Sequence, residues 1–220
     1  MTKVHPNAAA VAASLAVAEE KREATAVASL AAAGEKREPV ALTVWRRSLL
    51  FNGKGFTVFD SKGDLVFRVE TYAGGSPREV VLMDADGRAL LTICRKKLSL
   101  ADEWSIMDGD AASAAPKRFT ARRNMSLLPT KSLARLSSVR GASDRGDAPR
   151  YHVEGSYVGR SLDMFASASG GGGEQGRRVA TVCRKEAAVG PDVFRLVVEP
   201  GFEPALAMAV VILLDQMYAS

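Results

Sequence analysis

Two near-identical pentapeptides, TICRK at 92–96 and TVCRK at 181–185, carry both cysteines of the chain. Such a pair could mark a thiol couple, half of a metal site or an internal duplication. Zinc needs about four ligands from Cys, His, Asp or Glu. The region after residue 38 offers two separated cysteines and one histidine, His152, without the usual close spacing, so no metal site is expected. Nucleophilic hydrolysis needs a base beside its nucleophile. His152 alternates with Tyr151 and Val153, a strand pattern that suits a surface or packed ring, and no G-x-S-x-G occurs. GKG at 53–55 lacks the Lys-Ser/Thr pair of a phosphate loop, and the glycine run at 170–173 follows no strand-to-helix signal. The acidic residues are too scattered to nominate a general acid and base. The sequence offers no enzyme and calls for no cofactor.

Basic residues give the stronger signal. Between 117 and 140 stand Lys117, Arg118, Arg122, Arg123, Lys131, Arg135 and Arg140, with no acidic residue among them. On adjacent strands these would form a positive face, extended by Arg95, Lys96 and Lys97 if the neighbouring strand is close. Arginine suits phosphate because its planar fork bonds bidentately. Only Phe119 interleaves with these charges, which argues against single-stranded nucleic acid held by stacking. Anionic headgroups need no aromatic platform. A solvated, unevenly charged wall is the plainer alternative.

These residues must be positioned by something, and the 220-residue chain, 47% hydrophobic and 25% charged, is long enough for one well-buried domain. The net charge is +5 with a pI near 9.4, a mild bias toward acidic partners. Two cysteines and no apolar leader in the first thirty residues predict an intracellular, reducing compartment, cytoplasmic with the membrane surface or nucleus as further addresses. NMS at 124–126 and RGD at 145–147 therefore read as chance matches.

Residues 1–38 are alanine-rich and self-repeating: SLAVAEEKRE at 14–23 returns as SLAAAGEKRE at 29–38. Leu15 and Leu30 are nearly the only large apolar anchors, so a disordered or loosely helical tail is expected. Its five acidic and five basic residues cancel, which is unlike a transit peptide and leaves the whole +5 on a domain at 39–220.

From Val40 the hydrophobic period becomes two. FTVFD at 56–60 and DLVFRVE at 64–70 flank a glycine-bearing turn, and REVVLMD at 78–84 and ALLTICRK at 89–96 flank ADG, giving two hairpins. DADG lacks the spaced oxygen ligands, twelfth-position glutamate and flanking helices of a calcium loop. Further strands are predicted at 42–46, 103–108, 117–123, 133–140, 151–157, 162–167, 178–185 and 193–199, making twelve. Many short strands imply a closed sheet. TICRK then falls on the fifth strand and TVCRK on the eleventh, as a duplicated six-strand half requires. Strands six apart in a ring of twelve lie on opposite sides, far beyond the roughly 6 Å Cα separation of a disulfide.

The chain closes on EPALAMAVVILLDQM, in which ten residues from Ala205 to Leu214 are apolar in succession. A bilayer span needs about 20, so this helix is too short to cross one. A helix apolar all round is buried all round, and inside a barrel the available place is the lumen.

The stretches LTVWRRSLLFNGKGFTVFDSKGDLVFRVE, RKKLSL at 95–100 and EPGFEPALAMAVVILLDQM resemble the plant LURP-one-related family, over about residues 40 to 218. The resemblance implies a mainly β fold, a closed twelve-stranded tubby-like barrel around a buried hydrophobic C-terminal helix, similar to the tubby C-terminal domain and the phospholipid scramblases. The alanine-rich tail and Cys94 depart from the pattern. The family brings no agreed catalytic residues. Together with the basic stretch it leads to an expected non-enzymatic binding protein that recognises anionic phospholipid headgroups, phosphoinositides above all. The alternative is a scaffold or transcription-associated factor in plant defence that meets DNA or an acidic protein partner. A lipid-moving activity finds no spanning helix to support it.

Overall fold

Apolar residues at every second position make each strand one-sided, and twelve such strands can hide their apolar sides together only by closing. The computed structural model describes residues 38–47, 55–70, 79–96, 102–110, 116–124, 131–139, 150–167, 176–185, 190 and 192–218. The strands are β1 (Val40–Trp45), β2 (Gly55–Phe59), β3 (Leu65–Glu70), β4 (Glu79–Asp84), β5 (Ala89–Arg95) and β6 (Glu103–Asp108), followed by β7 (Lys117–Arg123), β8 (Ser132–Ser138), β9 (Arg150–Ser156), β10 (Ser161–Ala166), β11 (Arg177–Arg184) and β12 (Val193–Val198). One helix, α1 (Pro204–Tyr218), follows them. Each strand pairs antiparallel with its sequence neighbour, and β12 returns to β1, which closes the barrel.

All twelve predicted strands are present, with ends that move by at most two residues. The tail predicted at 1–38 falls almost wholly outside the described residues, and the chain divides between Glu38 and Pro39. Leu42 and Val44 on β1, Phe56 and Val58 on β2, and Leu91 and Ile93 on β5 face inward, and the alternation continues round the ring. Five register shifts, on the β2–β3, β4–β5, β6–β7, β8–β9 and β10–β11 pairs, add an extra residue to one strand and sharpen its bend. Gly155, opposite Leu162 at φ +120°, is one place where only glycine fits, since a Cβ there would collide with the Ser161 carbonyl.

Eight strands enclose a lumen that side chains fill, and diameter grows with strand number, so twelve leave room for a helix about 10 Å across. α1 occupies it. Every residue from Ala205 to Leu214 is buried, and the helix packs most closely on β5. Pro204 opens it, and the Glu203 carbonyl accepts the first helical bond, from the Ala207 N–H at 3.0 Å. At the far end the side chain of Asp215 accepts from Arg46 Nε at 2.7 Å and from the Tyr157 hydroxyl at 2.8 Å. The Tyr218 hydroxyl donates to the Leu133 carbonyl at 2.8 Å. The C-terminal end of the helix is thereby tied to the wall around it.

Cys94 on β5 and Cys183 on β11 are free thiols, separated by five strands in either direction round the ring. Both are half-buried on the outer side of the wall, and each is followed by the arginine that ends its strand.

Candidate functional site

The basic stretch is divided by strand geometry. On β7, Phe119 and Ala121 face the lumen, so Arg118 and Arg122 face outward while Lys117 and Arg123 sit at the two ends of the inner row. On β8, Ala134 and Leu136 are buried and Arg135 between them is exposed.

Register then assembles a row across the outer wall. Glu103 on β6 stands opposite Arg122, Arg122 opposite Arg135 on β8, and Arg135 opposite His152 on β9. Glu103 grips Arg122 through Nε at 3.3 Å and Nη2 at 3.0 Å, and its other oxygen takes Lys96 Nζ at 3.2 Å. These bonds, Arg122 first and Lys96 second, hold the Glu103 carboxyl below the usual carboxylate range. Lys96, Arg122 and Arg135 against one carboxylate leave two positive charges along the row. Arg135 has no ion pair among the described residues. Like charges directly opposite on a sheet are unfavourable by roughly 0.2–1 kcal/mol, so nothing in the fold itself calls for the Arg122–Arg135 pairing.

The remaining candidates do other things. Arg118 forks onto Glu203, with Nη1 to Oε1 at 3.2 Å and Nη2 to Oε2 at 2.5 Å, and reaches Asp108 at 3.4 Å. Its guanidinium is held above the ordinary arginine value chiefly by that Glu203 bond. The positive residue predicted for an anion face thus fastens the strand wall to the start of the helix. Arg123 donates to the Met217 carbonyl at 3.2 Å and lies 4.4 Å from the Tyr218 ring, a cation at a helix C-terminus. Arg95 pairs with Asp102 at 2.9 Å. Lys117 and Lys131 are exposed, and Lys97 and Arg140 lie outside the described residues.

Sequence reasoning overlooked Glu103 and Glu203 as partners of these arginines. Glu203 is 85 positions from Arg118, and no local pattern announces such a pair. His152 stacks on Phe165 with centroids 5.1 Å apart, and its Nε2 is 3.8 Å from Glu154. No hydroxyl or thiol bonds it among the described residues, and no group of three or more His, Cys, Asp or Glu there could hold a metal ion. No helix among the described residues is long and apolar enough to cross a membrane. What the wall offers is net positive charge at register-set positions on a closed barrel.

The sequence profile of the LURP-one-related family matches residues 40–215. Protein LURP-one-related 8 of Arabidopsis thaliana is 42% identical, with 82% of this chain and 88% of that protein covered. Protein LURP-one-related 17 of the same plant is 40% identical over 81% of this chain and 83% of its own length. The X-ray structure of a protein from Arabidopsis thaliana shares the fold with a TM-score of 0.56 and 22% identity, covering 82% of this chain and 91% of that one. A profile match over the whole barrel, relatives at 40–42% identity and a closed twelve-stranded wall around its terminal helix agree: this chain belongs to the LURP-one-related family.

Proposed function

We propose that this protein is a non-enzymatic binding protein whose barrel recognises anionic phospholipid, phosphoinositide headgroups above all, and so tethers itself or a partner at the cytoplasmic surface of a membrane. The Arg122–Arg135 pairing carries the reading, because register sets two arginines directly opposite each other, and like charges so placed meet a cost that a bound anion would remove. Lys96, drawn to the same row through Glu103, extends the positive edge over a third strand. A basic residue near an anionic bilayer contributes about 1 kcal/mol, which salt screens over a distance of about 10 Å. The likeness of fold to tubby-like domains and scramblases that the family resemblance implies supports the lipid reading, and the names of the relatives cited above state no enzymatic activity.

Co-sedimentation with phosphatidylcholine vesicles, with and without phosphatidylinositol 4-phosphate, tests it on the full chain at low salt. Selective, salt-weakened binding that falls when Arg122 and Arg135 lose their charge supports the proposal. No binding by the wild-type protein overturns it. Salt-dependent binding to duplex DNA in place of vesicles would transfer the same wall to a nuclear, transcription-associated role.

A further inference from the structure

A second feature lies on another part of the wall. Leu42 and Val44 take the lumen side of β1, so Ala41, Thr43 and Trp45 face outward. The β2–β3 hairpin borders them, leaving an open groove of about 530 Å³. Trp45 and Phe59 line it edge to face, with centroids 5.6 Å apart and planes at 67°. Lys62 from the hairpin, Lys185 just past β11 and Arg195 from β12 supply three cations.

The convergence is built by the fold. Register sets Arg195 opposite Thr43, and Lys185 Nζ donates to Thr43 Oγ1 at 3.4 Å. Asp60, the one carboxylate among the described lining residues, accepts the N–H groups of Lys62 at 2.8 Å and Asp64 at 2.9 Å. The Asp64 bond first, with Lys62 and Gly63 adding to it, holds its carboxyl below the usual range. Asp60 therefore shapes the hairpin and forms no ion pair with the three cations. Trp45 is 44% exposed in their midst, an apolar surface left uncovered beside net positive charge.

We propose that this groove binds a small organic phosphate monoester, with its planar or alkyl body against Trp45 and its phosphate between Lys185 and Arg195. Three cations less one carboxylate leave two positive charges, which match the charge of −1.5 to −2 on a monoester at neutral pH. The arginine fork can take two phosphate oxygens, and the volume lies within the roughly 300–1,000 Å³ of small-molecule sites. The phosphate could belong to a free metabolite or to a lipid headgroup. The groove draws on β1, β11, β12 and the β2–β3 hairpin, whereas the row at Arg122 draws on β6 to β9, so the two sites stand or fall separately.

Tryptophan emission tests it, because Trp45 and Trp104 are the only tryptophans in the sequence and Trp104 is 3% exposed. Phenyl phosphate should give a saturable emission change, with inorganic phosphate weaker by about tenfold and benzyl alcohol inactive. Arg195→Gln and Lys185→Gln should each weaken phenyl phosphate at least tenfold without altering circular dichroism. Trp45→Phe should abolish the signal, and Arg122→Gln with Arg135→Gln should leave it intact. A response confined to phosphatidylinositol 4-phosphate vesicles and lost in Arg195→Gln would assign the phosphate to a headgroup. The proposal fails if neither source gives a saturable change, or if both groove variants bind as the wild type does.

Discussion

Arg122 of β7 and Arg135 of β8 stand directly opposite each other on the outer wall, and of the two only Arg122 is held by Glu103. Neutralising both, as Arg122→Gln with Arg135→Gln, removes their repulsion along with about 2 kcal/mol of attraction to an anionic bilayer. Vesicle affinity should fall about 30-fold at low salt while the melting temperature holds or rises. Arg88→Gln with Arg177→Gln removes the same charge from exposed positions at the opposite barrel end and should lower affinity less than about threefold. Equal losses in the two variants would show that net charge, and no site, governs binding.

Arg123 makes a poor probe of the same surface, because its guanidinium holds the Met217 carbonyl and the Tyr218 ring. Removing it forfeits a favourable charge at a helix C-terminus and a cation–π contact, each about 0.5–1 kcal/mol. Arg123→Ala should destabilise the barrel by about 1–2 kcal/mol in urea titration, with vesicle binding changed less than by the Arg122 and Arg135 variant.

Leu213 is fully buried on α1. Leu213→Ala should cost about 2–5 kcal/mol, the transfer and cavity terms together. Leu213→Asp would bury an unpaired charge and leave little soluble protein. A soluble Leu213→Asp variant with unchanged melting would place the helix at the surface.

Asp215 is the shared acceptor of Arg46 and Tyr157. Asp215→Ala strands the Tyr157 hydroxyl and frees Arg46, whose side chain is 35% exposed and so loses less than a buried ion would. A loss of about 2–3 kcal/mol is expected, against about 1 kcal/mol for Tyr157→Phe, which removes one bond and leaves Arg46 in place. Equilibrium unfolding of the two single variants and the double variant checks this, and the double should cost less than the sum.

Burial first and the neighbouring Glu79 second push the Cys94 thiol up to about 11. In a Cys183→Ser background, alkylation of Cys94 by iodoacetamide should therefore keep rising with pH beyond 10. The folded value lies above that of an unfolded cysteine, about 8.5, so the thiol's contribution to stability is complete below pH 8.5 and is lost as pH climbs toward 11. A rate that levels off near pH 9 would contradict this.

The sequence by itself determined the strands and the helix, because the signals that carry them are local. Period-two alternation in FTVFD or ALLTICR states which residues share a face, and ten apolar residues in succession before Asp215 state that no side of that helix meets water. Even the antipodal cysteines follow from counting strands. The fate of each charge was decided only by tertiary structure. Arg118, Arg122 and Arg123 look alike in the sequence, yet the first is fixed by Glu203, 85 positions away, the second by Glu103 across the β6–β7 ladder, and the third by the end of α1, 94 positions away. The groove at Trp45 has the same origin, since Thr43, Lys185 and Arg195 become neighbours only when β12 closes on β1. Closure brings the two ends of the domain together, and a charge is neutralised or left free by the residues that closure sets beside it.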